Sequence, residues 1–125
     1  MRLMTPILFA ATLAHSAAAE GTPGTTVQVA EIVTFRLVDG TDPDSFVEAA
    51  DAMTPFLHST VAMITRTLSS DDTGLWTDLI TWSSLEAAKS AAAQMFEQPE
   101  AQPFMAMINP EGMDMRHATI HLKQE

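Results

Sequence analysis

Cysteine and tyrosine are both missing from the 125 residues. The first absence excludes disulfide scaffolds, thiolate metal centres and cysteine nucleophiles. The second removes a common phenolic acid–base group. Cations are scarce, with six Lys and Arg against sixteen Asp and Glu and a net charge of −10. Such a chain lacks the clustered positive charge on which nucleic-acid affinity rests, so no nucleic-acid partner is expected. The acids are scattered, the pattern of a solvated surface and not of an acidic tail. A Gly-rich phosphate loop, a Gly-x-Ser-x-Gly elbow and a His-Glu-x-x-His pair are also missing, which leaves nucleotide-dependent and classical hydrolase chemistry without support. The remaining balance, 46% hydrophobic and 18% charged, is that of one ordinary globular domain.

The N-terminus differs in composition from the rest of the chain. Arg2 supplies a positive start, Leu3 to Leu13 form a short apolar stretch, and Ala17-Ala18-Ala19 is a small-residue cleavage site. That order describes a secretory signal peptide over residues 1–19, cleaved near Ala19, and implies a periplasmic or secreted protein. The apolar run is shorter than the ~20 residues a membrane span needs, and no later stretch reaches that length, so no membrane association is expected of the mature form. Residues 20–26, with Gly21, Pro23 and Gly24, read as a flexible lead-in, leaving one domain over 27–125.

Period-two alternation from Val27 to Val38 predicts a strand, with Val29, Val33, Phe35 and Leu37 on one face and Glu31 interrupting it. Asp42 as N-cap, Pro43 and Asp44 open a helix whose apolar stripe is Phe46, Ala49, Ala50, Met53, Phe56 and Leu57, with Pro55 expected to kink or tighten its end. Two strands, about Val61–Leu68 and Leu75–Trp82, flank turn chemistry at Ser69–Gly74 and predict a hairpin. Ser83-Ser84-Leu85-Glu86 reads as a capping box with Ser83 as cap, before a helix carrying Leu85, Ala88, Ala92, Met95 and Phe96 on one side. A short helical turn at Pro103–Ile108, a turn at Asn109–Gly112 and a last strand over Met113–Leu122 complete the chain. The expected class is α+β: a ferredoxin-like βαββαβ domain, with a four-stranded antiparallel sheet and both helices on one face. The bare face invites a second copy of the chain as partner.

From Val29 to Leu122 the chain resembles the dimeric α/β-barrel superfamily, in particular its antibiotic biosynthesis monooxygenase-like branch. The resemblance is carried by Glu31-Ile32-Val33-Thr34-Phe35-Arg36-Leu37 entering Asp39-Gly40, and by Asp78-Leu79-Ile80-Thr81-Trp82 running into Ser83-Leu85-Glu86-Ala87-Ala88. Pro99-Glu100-Ala101, Pro103-Phe104 and the closing strand extend it. It implies a homodimer and a small apolar pocket in each subunit. Members include cofactor-independent oxygenases, haem-degrading enzymes and isomerases. The haem-degrading branch has Asn on its first strand, Trp before its second helix and His on that helix; only Trp82 corresponds here, so haem degradation is not implied.

Four residues are the candidates for chemistry. His117 is the available general base near neutral pH, and Glu31 and Asp78 are carboxylates inside strand-like runs. Arg66, with Arg36 and Arg116, belongs to a strand, where it can pair with a carboxylate or steady a developing oxyanion. Trp82 and Phe35 are the candidate pocket residues. No cofactor is expected. Met113, Met115, His117 and His121 share one face of the last strand, which also suits an interface or a Cu(I) site, while Ala118, Ile120 and Leu122 read as core. His58 is explained by a helix C-terminus. The expected function is an exported, cofactor-independent monooxygenase or isomerase acting on a small aromatic or enolic molecule; the alternative is a non-catalytic small-ligand or Cu(I)-binding module.

Overall fold

A computed structural model describes residues 27–125; the expected signal segment 1–19 and lead-in 20–26 lie outside the described residues. Strands β1 (Val29–Leu37), β2 (Met63–Ser70), β3 (Trp76–Trp82) and β4 (Ile108–Thr119) form one antiparallel sheet in the order β2-β3-β1-β4. Between them lie α1 (Pro43–Asp51), α2 (Thr54–Ser59), α3 (Leu85–Met95) and α4 (Ala101–Ala106). This is the expected ferredoxin-like order, with each predicted helix or turn realised as one or two short helices. Among the described residues no helix is long and apolar enough to cross a membrane.

The first helix starts where its sequence says it should. Asp42 accepts a hydrogen bond from the Ser45 backbone N–H at 3.2 Å, and Pro43 follows at the first helical position. Pro55 does not merely tighten the end of this helix. It sits at the first turn of a separate one, α2, because a proline lacks the N–H that a continuous helix would need from it. The second capping expectation is off by one residue: Ser84 is the cap, and its hydroxyl accepts from the Ala87 backbone N–H at 3.1 Å.

Alternation along the strands divides the sheet into two faces. Val29, Glu31 and Phe35 of β1 and Trp76, Asp78, Ile80 and Trp82 of β3 are buried together with Phe46, Ala50, Ala88 and Phe104, so the helices cover this face. Phe46 is the centre of the packing. Its ring meets Phe35 at 5.6 Å and Trp76 at 5.0 Å edge-on, and stacks on Phe104 at 5.3 Å. Two members of the expected α3 stripe are not core: Leu85 is 41% and Phe96 63% exposed, since Ala88 and Ala91 make the close approach to the sheet.

The fourth strand departs most from expectation. It begins at Ile108, not Met113, and ends at Thr119, and Asn109–Gly112 lies within it instead of forming a terminal turn. Arg36 pairs with Asn109 and Thr34 with Asp114, so Pro110–Met113 stand opposite Phe35 alone. This wide bulge is built locally. The Asn109 side-chain oxygen accepts from the Glu111 N–H at 3.0 Å, and Gly112 takes φ +80°, a conformation that favours glycine. The face assignment on β4 is also corrected. Register places Met115 and His117, not Ala118, toward the helices, because His117 pairs with Glu31 of the buried face.

Candidate active site

Strand register settles what sequence alone leaves open. Arg66 lies opposite Ile80, Ile80 opposite Glu31, and Glu31 opposite His117, so these four form one row across all four strands on the helix-covered face. The adjacent row is Leu68, Asp78, Val33 and Met115. Asp78 is therefore a diagonal neighbour of Arg66, close enough for long side chains to meet.

They meet bidentately. Arg66 Nε donates to one Asp78 oxygen at 3.0 Å and Nη2 to the other at 2.7 Å, while Nη1 donates to the Ala50 carbonyl at 2.9 Å. The guanidinium also lies over the Phe104 ring, 5.6 Å from its centroid. Three of the five N–H groups of Arg66 are thus engaged, and the pair ties β2, β3, α1 and α4 together. At the other end of the row, His117 Nε2 and Glu31 Oε2 are 3.0 Å apart. Glu31 and Asp78 are each 6% exposed, so both carboxylates are buried and both have a cationic or potentially cationic partner.

Between the sheet and the helices lies a cavity of about 110 Å³. Glu31, Val33, Phe35, Asp78 and Ile80 of the sheet and Arg66 of β2 form its floor; its other walls are apolar, from Met53 and Leu57 through the α3 and α4 side chains to Met113 and Met115. Of the sequence candidates, Glu31, Asp78, Arg66 and Phe35 line this cavity. Two do not. His117 stands behind Glu31, its side chain 21% exposed, and reaches the cavity only through the carboxylate. Trp82 is 2% exposed in the core, pairs with Val29 and Met63, and leaves its indole N–H without a hydrogen-bond partner.

The alternative soft-metal set is not gathered in one place. Met113 and Met115 line the cavity, His117 is engaged with Glu31, and His121 lies past the end of β4, exposed. Among the described residues no three His, Asp or Glu side chains converge as a metal cluster. Arg36 serves the hairpin, donating to the Thr73 carbonyl at 2.6 Å, and Arg116 is exposed on the opposite sheet face. His58 lies in the last turn of α2. The cavity's methionine lining escapes sequence reasoning because Met95 and Met105 belong to different helices from each other and from β4, and only the tertiary arrangement brings them together.

No protein-family model and no curated protein matches the sequence. Solved structures do match. The cofactor-independent oxygenase SnoaB of Streptomyces nogalater is similar at TM-score 0.58 and 17% identity, over 79% of this chain and 96% of that one. A monooxygenase from the gene ActVA-Orf6 of Streptomyces coelicolor, in complex with the ligand nanaomycin D, is similar at TM-score 0.57 and 13% identity, over 80% of this chain and 93% of that one. A dimeric ferredoxin-like protein from an uncultured marine organism is similar at TM-score 0.59 and 6% identity, over 79% and 92%. The chain shares with these solved structures one α+β ferredoxin-like fold. At these identities the likeness establishes architecture, and the chemistry has to be argued from the site.

Proposed function

We propose that the protein is a homodimeric, cofactor-independent monooxygenase or isomerase that takes a proton from a small aromatic or enolic molecule held in the cavity, with Glu31 as the base. The observation that carries this reading is the contrast between the two buried carboxylates lining the cavity. Asp78 has both oxygens bonded to an arginine, whereas Glu31 meets its partner through one oxygen only, at a single imidazole nitrogen 3.0 Å away, and keeps its second oxygen for a substrate proton. Glu31 is therefore the carboxylate fitted to proton exchange, and His117 is a positioning residue that orients it. This inverts the expectation that His117 itself is the base. The Arg66 charge is balanced by Asp78, but two of its five N–H groups remain beyond those bonded to Asp78 and Ala50, and these are the donors at the cavity floor for the enolate oxygen left after proton removal. In the oxygenase form, dioxygen is the oxidant: one of its atoms becomes the new carbonyl oxygen and the other leaves as water, with the two hydrogens lost from the carbon. In the isomerase form the proton returns to a different carbon and no oxidant is needed.

The second copy belongs on the bare sheet face. Ala30, Ile32, Thr34, Thr65, Thr67, Thr77 and Leu79 alternate with the buried residues, and Asp114 is the acid that register places among them. For a chain of net charge −10, a broad face with so little negative charge is the surface on which two copies meet with least repulsion. Export with cleavage near Ala19 completes the proposal, and N-terminal sequencing of the exported protein tests it: retained Met1 rejects it.

Oxygen uptake with a 1,8-dihydroxyanthrone and proton exchange with a naphthol series test the chemistry. Glu31→Gln is expected to lower turnover by about 10²–10⁴-fold. Turnover equal to wild type in Glu31→Gln rejects Glu31 as base. Sedimentation should give twice the monomer mass, and Leu79→Arg should return the monomer.

A further inference from the structure

Five methionines, Met53, Met95, Met105, Met113 and Met115, line the cavity, and they are graded by access to solvent. Met53 is 2% exposed, Met95 and Met105 are half-buried, and Met113 and Met115 at the mouth are 37% and 45% exposed. Thioethers reachable from water are open to two-electron oxidation, and the product sulfoxide is polar and a strong hydrogen-bond acceptor where the thioether was apolar and adaptable.

We propose that Met113 and Met115 form an oxidation-sensitive mouth, where conversion to methionine sulfoxide by a peroxide closes the cavity to apolar ligands. In that step the peroxide O–O bond breaks. One oxygen bonds to the methionine sulfur, which is oxidised, and the other is reduced and leaves as water or the corresponding alcohol. The effect on binding comes from the polar groups already present. Glu31 and Asp78 are acceptors that offer a sulfoxide oxygen no donor, and the other lining side chains at the mouth are apolar, so a sulfoxide there draws water to itself. A ligand entering an oxidised mouth must strip that water without replacing its hydrogen bonds. Position favours these two residues further. Met115 sits on β4 directly opposite Val33, and Met113 ends the bulge, beside Gly112, where the strand has no β1 partner. A thiol-dependent sulfoxide reductase would restore the apolar mouth, so the modification is reversible.

This inference rests on the cavity as an apolar ligand site, not on any catalytic step. The test uses the full chain, 1-naphthol as ligand and millimolar hydrogen peroxide as oxidant, with peptide mapping by mass spectrometry. Met113 and Met115 should become sulfoxides before Met53, Met95 and Met105. Affinity for 1-naphthol should then fall by about tenfold or more and recover after treatment with both sulfoxide reductases and dithiothreitol. In Met113→Leu/Met115→Leu, affinity should be the same before and after peroxide. Oxidation that strikes the other lining methionines first, an affinity unchanged by oxidation, or equal peroxide sensitivity in the double variant each overturn the proposal. Untreated protein that does not bind 1-naphthol overturns the ligand-site reading itself, and the switch with it.

Discussion

Glu31 and His117 face each other across the β1–β4 ladder, and their side chains meet at 3.0 Å with the carboxylate toward the cavity and the imidazole toward solvent. A buried acid thus reaches water through one ring. That pairing makes the stability of the two residues interdependent.

His117→Ala leaves the Glu31 carboxylate buried without its partner, and is expected to cost about 1–3 kcal/mol of stability. Combining it with Glu31→Gln should cost less than the sum of the two single changes, because the second change removes the group that the first left unsatisfied. Urea denaturation of the four proteins checks the cycle; strict additivity would mean that the side chains do not interact in solution.

The Arg66–Asp78 pair is the deeper of the two, its side chains 14% and 8% exposed. Arg66→Met strands a buried carboxylate and should cost about 3–5 kcal/mol, while the double change Arg66→Met/Asp78→Leu should recover most of that loss. Arg66→Lys should not rescue stability, since an ammonium cannot span both Asp78 oxygens and the Ala50 carbonyl at once. Thermal unfolding measured across the series decides between these outcomes.

Val61 occupies the left-handed region at φ 60°, just past the Thr60 C-cap of α2, and is 90% exposed. A β-branched residue there is strained, and no packing of the side chain offsets the strain. Val61→Gly should raise stability by about 0.5–1 kcal/mol, or a few degrees in Tm, after allowing for glycine's greater freedom in the unfolded chain. A lower Tm would show that the valine stabilises the fold in some other way.

In the β2–β3 turn, Asp71 is held below the ordinary carboxylate range. The Thr73 hydroxyl bonded to its side chain is the largest cause, followed by the backbone N–H groups of Leu75 and Thr73, and Arg36 adds to the effect. A folded-state pKa below the unfolded one means stability that is present above the ordinary value and lost as pH falls through the depressed one. Asp71→Ala should therefore lower stability at neutral pH, and its difference from wild type should shrink below about pH 4. A difference constant from pH 7 to pH 2 would contradict the assignment.

Much of this architecture is legible in local chemistry. Asp42-Pro43, the Asp71–Gly74 turn and the alternation from Val29 to Phe35 each specify their own conformation within a few residues, and the element order comes from them. Register does not, because it is a relation between strands: nothing in the spacing of Arg66, Asp78, Glu31 and His117 says which of them are neighbours. Asn-Pro-Glu-Gly reads as a strand-ending turn since Asn109, Pro110 and Gly112 each favour turns, yet here the same chemistry builds a bulge inside a strand that ladder pairing continues on both sides. Phe96 misleads for a related reason. Its spacing matches the core stripe, but small alanines carry that contact and leave the ring at the cavity rim.

The stretch of β4 that faces Phe35 alone bears on how a chain of this kind diversifies. Pairing on one side is pinned by Leu37 with Ile108 and Arg36 with Asn109, and on the other by Thr34 with Asp114 and the pairs beyond it. A residue gained or lost among Pro110–Gly112 therefore leaves every strand partner in place and redraws only the rim that carries Met113. The buried Glu31–His117 pair and the cavity rim can therefore be inherited separately, and the shape of the rim can change over generations while Glu31 and His117 stay where they are.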